Sequence, residues 1–145
     1  MNSFAIQTKY RLFDLIDFVV AATKKNVSDG RDYFEYRDIF IEDISVGMAD
    51  DPYCFVDEPL DDDLIDEDEN PEGYSVFVIN NKLKLLYYGQ QFVSVIENSL
   101  LQKNEATIGE IVRNLEFYSK HDTYMDIKWR TKQAVACTKS SVLTQ

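Results

Sequence analysis

The sequence predicts an α+β fold: a small antiparallel sheet with a central hairpin, packed against about three helices, in a single domain spanning residues 1–145. Three observations predict it. Apolar residues recur at helical spacing near the N-terminus and again beyond Gly89. A run of β-branched and aromatic residues, Tyr74 to Ile79, sits in the middle, and polar/apolar alternation follows it from Lys82. The order helix, strands, helices is that of an antiparallel sheet with helices packed on it. A chain of 145 residues is long enough for one apolar core, and a 45% hydrophobic composition with 9 Phe and 9 Tyr is too apolar for a disordered chain.

The first helix falls within residues 9–24. Leu12, Leu15, Ile16, Val19 and Ala22 or Thr23 share one face, Asp14 and Asp17 the other, and Lys24 and Lys25 stand at the negative end of the helix dipole. Val27-Ser28-Asp29-Gly30 then breaks it. Residues 33–46 mix aromatic, β-branched and charged types, and their periodicity leaves strand and helix both open. Tyr53 to Val56 reads as a short strand, and Tyr74 to Ile79 as a stronger one. Asn80-Asn81 turns the chain into Lys82 to Tyr88, which completes the hairpin. Phe92, Val93, Ile96 and Leu100 mark a helix over 90–102. Thr107-Ile108-Gly109-Glu110 has the capping-box pattern, in which the Thr hydroxyl and the Glu carboxylate each satisfy a free backbone N–H, and opens a last helix to about Lys120. The C-terminus is expected to fray from about residue 138.

Charge is the feature with functional content. The net charge is −11, from 26 acids and 15 bases. Residues 50–72 alone hold 12 acids and no base, which leaves 14 acids to set against 15 bases elsewhere. The molecule therefore reads as a near-neutral domain carrying one acidic loop at 50–72. Like charges at that density repel unless a cation or a basic partner compensates them. Apolar residues interrupt the acids (Cys54, Phe55, Val56, Leu60, Leu64, Ile65), as expected of a segment tucked onto a core with its carboxylates outward.

Other chemistry is weakly represented. Cys54 and Cys137 form no Cys-x-x-Cys pair and are expected to be reduced, packed thiols. His121 is the single histidine, without a nucleophile motif beside it, so no catalytic residues are assigned and an enzyme is not expected. A calcium loop starting at Asp61 would use Asp61, Asp63, Glu67, Glu69 and Glu72, but Ile65 and Asp66 take its fifth and sixth positions, the latter needing Gly. No metal and no cofactor is assigned. The chain has no apolar run of the ~18 residues that span a bilayer, no visible secretory signal, and too much negative charge to favour nucleic-acid or lipid phosphates. A cytoplasmic protein without a membrane or nucleic-acid partner is expected.

A small acidic α+β chain without a catalytic constellation resembles the immunity proteins of bacterial contact-dependent growth inhibition and polymorphic-toxin systems. More narrowly, the stretches from Asn81 to Asn98 and from Leu115 to Asp122 look similar to a family of small bacterial proteins of undefined function, in which an acidic loop precedes a strand and two helices. That similarity covers roughly the central half to two-thirds of the chain. The resemblance implies cytoplasmic residence and a 1:1 complex that neutralises a cognate toxin domain by occlusion. A basic nuclease is the first choice of toxin, because nucleases present Lys and Arg to phosphates and carboxylates can stand where phosphates would lie. The partner-binding residues expected are Asp57, Glu58, Asp61, Asp62, Asp63, Asp66, Glu67, Asp68 and Glu69. The alternatives are a DNA-mimic or anti-restriction inhibitor, which would spread its acid along an elongated surface, and a non-catalytic regulatory adaptor.

Overall fold

Strand β1 (Lys9–Arg11) leads straight into helix α1 (Leu12–Lys24), which is followed by a short α2 (Asp29–Phe34), β2 (Asp38–Ile41), a single 3-10 turn at Met48–Asp50, and β3 (Tyr53–Asp57). A one-turn α3 (Val76–Asn80), β4 (Lys84–Tyr87), α4 (Gly89–Gln102) and α5 (Ile108–His121) complete the order. The computed structural model describes residues 4–58 and 65–127. These divide into two compact units, one ending at Ser94 and the other beginning at Val95. The expected fraying from about 138 lies outside the described residues.

In the first unit the four strands form one antiparallel sheet in the order β1-β3-β2-β4. The fold is α+β with an antiparallel sheet, as the sequence predicts. Phe40 and Phe55 are register partners on one face, where Val78 and Leu83 bury against them and Tyr74, Phe77 and Leu85 close the margin. Ile39 and Val56, the adjacent partners, leave by the other face and are fully buried as well. In α1 the buried set is Leu12, Leu15, Ile16, Val19 and Ala22, the stripe expected from spacing. Gly30 lets α2 approach α1 closely, since a Cβ there would stand 3.3 Å from the Val19 Cα. An edge-to-face aromatic chain runs from Phe4 through Phe18 and Tyr33 to Phe34, which meets Phe92.

The open segment 33–46 divides: α2 ends at Phe34 and β2 is a buried strand. The expected strand over Tyr74 to Ile79 is a correction. Residues 76–80 are helical, so β4 pairs with β2 instead of folding back on its own neighbour, and the hairpin of the sheet is β2–β3. The cause is local. Ser75 caps the turn by accepting from the Val78 N–H. Lys82 then adopts φ 55°, and Leu83 N–H and Lys82 N–H close onto the Val78 and Ile79 carbonyls at 3.0 and 3.1 Å. That is a Schellman ending, with the accompanying apolar contact between Leu83 and Val78. α1 ends the same way at Asn26 (φ 58°), with Val27 and Asn26 bonded to Ala22 and Thr23.

In the second unit Val95, Ile96 and Leu100 of α4 and Ile111, Val112 and Leu115 of α5 are buried. The expected capping box is present: Thr107 Oγ1 accepts from Glu110 N–H, and Glu110 returns to Thr107 N–H at 2.9 Å. The buried Asn114 donates to Ser99 Oγ at 2.9 Å and accepts from Met125 N–H at 2.7 Å. Gln102 accepts from Ile127 N–H and donates to the Met125 carbonyl, both at 2.7 Å. Two side-chain amides thus hold the backbone of residues 125–127 as a neighbouring strand would.

Candidate functional site

The acidic segment is two kinds of structure. Asp50 is exposed, whereas Asp51, Asp57 and Glu58 face inward or pair. Asp51 (φ 54°) stands at the end of the 3-10 turn, and its Oδ1 accepts from Phe13 N–H at 2.8 Å, capping α1, whose own N-cap residue is Arg11 and offers no acceptor. Asp57 is buried, with 1% of its surface exposed. Its carboxylate accepts from Ser75 Oγ at 2.6 Å, from Glu58 N–H at 2.7 Å and from Gln7 Nε2 at 3.2 Å. Ser75 is at once the cap of α3, so a relay from Val78 N–H through Ser75 to Asp57 closes the neck of the loop between residues 57 and 75. Glu58 Oε2 lies 3.2 Å from Arg37 Nε, but the N–H is aimed off that line, leaving a charge contact in place of a hydrogen bond. Arg37 itself stacks on Tyr33 and donates to its carbonyl.

Across β2–β3, Asp38 is the register partner of Asp57, so both carboxylates leave the sheet on one side. Each has its own donors: Asp38 Oδ1 accepts from Gly89 N–H at 2.9 Å, at the start of α4. Burial holds the Asp38 carboxyl above the usual range, partly offset by that bond. Gly89 is obligatory there, because a Cβ would fall 1.8 Å from the Arg37 carbonyl oxygen and 2.6 Å from that of Phe34.

The later acids are displayed. Asp66 and Asn70 exchange backbone hydrogen bonds at 3.0 and 2.8 Å, and Asp66 Oδ1 accepts from Asp68 N–H (2.9 Å) and Glu69 N–H (3.3 Å). This makes residues 66–70 a self-bonded turn. Asn70 is buried beneath it and grips Tyr74 by both backbone groups at 3.0 Å. Gly73, at φ 75°, provides the reversal. Tyr74 stacks edge-on against Phe40 of the sheet. Glu67, Asp68, Glu69 and Glu72 stand exposed on this turn, and among the described residues no Lys or Arg pairs with them. Ile65 is also half exposed, at 48%, whereas Cys54, Phe55 and Val56 tuck inward as expected.

Set against the expected partner-binding residues, Glu67, Asp68 and Glu69 are on the surface and Asp66 shapes their turn. Glu58 is exposed beside Arg37. Asp57 is a correction: it faces the interior and serves as the clasp of the loop. Asp61, Asp62 and Asp63 lie outside the described residues. Sequence reasoning missed Gln7, Asp38, Asn70 and Ser75. The alternation that puts Phe55 inward also puts Asp57 inward, and Ser75 before an apolar run has the form of a helix cap.

Elsewhere, Cys54 is a buried free thiol, pushed up to about 12 by burial and by the nearby Asp51 and Asp14 charges. Cys137 lies outside the described residues. His121 ends α5 and stacks on Phe117 at 4.3 Å. Among the described residues, no group of three or more His, Cys, Asp and Glu is placed to hold a metal ion, and no helix is long and apolar enough to cross a membrane. A cleft of about 300 Å³ in the first unit is lined by Arg31, Asp32, Glu35, Gln90, Val93 and Ser94. Asp32 there is bonded to Ser28 and Gln90 to the Glu35 carbonyl.

Residues 26–127 match the family described as Domain of unknown function (DUF7716). The chain belongs to this family. The match runs from the end of α1 to the amide-held segment at 125–127, so the displayed acids, their clasp and both long C-terminal helices lie inside the DUF7716 region. No curated protein and no solved structure matches the chain.

Proposed function

We propose that this DUF7716 protein is an immunity protein, which binds a basic toxin domain in a 1:1 complex in the cytoplasm and neutralises it by occlusion. A nuclease is the toxin class that best complements it. The observation that carries the reading is the turn 66–72, where Glu67, Asp68, Glu69 and Glu72 are exposed, with no ion pair among the described residues, on a backbone fixed by Asn70 and the Asp57–Ser75 clasp. A solubility loop has no need of a buried amide, a buried carboxylate and a capped helix turn to hold it. A fixed array of carboxylates also raises association rates with a basic surface, which suits capture of a toxin before it acts. Outside residues 50–72 the 14 acids are balanced by 15 bases, which favours protein docking over mimicry of an extended nucleic acid. No catalytic role enters this reading.

The experiment is to find whether a toxin reading frame lies immediately upstream and to co-express its C-terminal domain with this protein, scored by co-purification and by survival of the host. Protection with a stoichiometric complex is expected. Failure of the two to associate at low salt, with both folded, would overturn the reading.

A further inference from the structure

The clasp that fixes the acid turn also presents a second chemistry beside it. α3 is anchored on the sheet by Val78, 2% exposed, and by Phe77, which packs on Phe55 at 5.5 Å. Val76 and Ile79, three positions apart on the opposite side of the same turn, are left 61% and 44% exposed. Nothing in the cap or the Schellman ending requires apolar residues at those two positions. Glu72 precedes this helix by four residues, and Asn70, at the base of the acid turn, holds the Tyr74 backbone just ahead of the Ser75 cap. On the other side of α3 the charge changes sign: Lys82 and Lys84 are exposed. The surface is therefore ordered along the chain as acid, apolar, base.

We infer that Val76 and Ile79 are the apolar centre of the docking surface, and that its occupant is a basic protein presenting an apolar side chain with Lys or Arg on one flank only. This rests on reading the acid turn as the docking face for a basic protein, and names what that protein must offer. Charge complementarity selects the occupant. A second copy related by a two-fold axis would set its Lys82 and Lys84 over the acid turn, but two lysines against the carboxylates of Glu67, Asp68, Glu69 and Glu72 leave that turn under-compensated, which favours a partner richer in Lys or Arg. The two chemistries divide the kinetics: the carboxylates set how fast a partner arrives and how steeply that rate falls with salt, and the α3 contact sets how long it stays. The lysines beyond α3 fix orientation, with the partner's basic flank over Glu67 to Glu72 and its other side uncharged or acidic.

The test uses the full chain and two synthetic helical peptides of equal positive charge, one with leucines along one face and the other with serines in those places. The leucine peptide is expected to bind about tenfold more tightly, as burial of the two side chains would give. The double variant Val76→Ser/Ile79→Ser is expected to erase that difference through faster dissociation, with association rate and salt dependence unchanged. Leu101→Ser, which removes an apolar residue of the second unit that is 86% exposed, is the control and should leave the preference intact. Thermal unfolding confirms that the variants remain folded. Equal affinity for the two peptides, or equal loss from Leu101→Ser, overturns the inference. So does a dimer of the native chain that the α3 double variant dissolves. If no neighbouring toxin is neutralised yet the leucine preference maps to Val76 and Ile79, the docking surface stands and the immunity reading falls.

Discussion

Asp57 and the trio Glu67, Asp68 and Glu69 belong to one acidic segment without a single Lys or Arg, and they do opposite things. Asp57 is enclosed by three donors and ties the N-terminal segment, the end of β3 and the cap of α3 to one point. The trio has exposed side chains, and its backbone is arranged by Asp66 and Asn70. A buried carboxylate must be hydrogen-bonded to be tolerated, whereas an exposed one is stabilised by water and is available to a partner. Charge density in a sequence measures neither. It is the neighbouring strand period and the presence of donors that decide which acids hold the structure and which are shown to the outside.

The largest effect is expected at the clasp. Asp57→Ala strands the Ser75 hydroxyl, the Gln7 amide and the Glu58 N–H, and is expected to destabilise the first unit by roughly 1.5–3 kcal/mol in denaturant unfolding. Amide exchange should rise at Val78, whose N–H depends on Ser75. An unchanged unfolding midpoint would place Asp57 with the displayed acids. Asn70→Ala removes both bonds to Tyr74 and is expected to cost about 1–2 kcal/mol, read by the same unfolding curve, with the exposed acids retained but no longer fixed.

A carboxylate outside the run sharpens the contrast through pH. Burial alone would raise the Glu110 carboxyl, but the Lys103 hydrogen bond at 2.8 Å, the Thr107 N–H bond and the Lys103 charge outweigh it and hold it below the usual range. Its folded value therefore lies below its unfolded one. The stability it adds is fully present above the unfolded value of about 4.3 and is lost as pH falls through the lowered folded value. Glu110→Gln is expected to cost under about 1 kcal/mol at neutral pH and to flatten the acid limb of a stability–pH profile. A profile that keeps its acid slope would show that other carboxylates carry it. The smallest effect belongs to the displayed trio: Glu67→Gln/Asp68→Asn/Glu69→Gln should shift stability by no more than about 0.5 kcal/mol, measured by thermal unfolding.

Much of the architecture could be read from residues. The apolar stripe of α1, the strand at Tyr53–Asp57 and the Thr107–Glu110 capping box each rest on local signals strong enough to survive tertiary context. The α3 turn was hidden because Val76, Phe77, Val78 and Ile79 have strand propensity, and the left-handed position that ends the helix is held by Lys82 in place of the usual glycine. Tertiary packing of Val78 and Leu83 against Phe40 and Phe55 overrode that propensity. At the site, Glu67 to Glu69 were legible as surface acid. Asp57 was missed because two of its three donors come from residues 50 positions upstream and 18 downstream, and strand alternation, which points it inward, does not name them.

One measurement bears most directly on the central claim that residues 66–72 form a fixed acidic docking face. The association rate with the leucine-faced basic peptide should be followed by stopped flow over a range of salt, for the native chain and for Glu67→Lys/Asp68→Lys/Glu69→Lys with folding verified. The native rate is predicted to fall steeply as salt rises, and the reversed variant to associate at least roughly tenfold more slowly at low salt with a flattened or inverted dependence. Equal rates and equal salt slopes for the two proteins would contradict the claim.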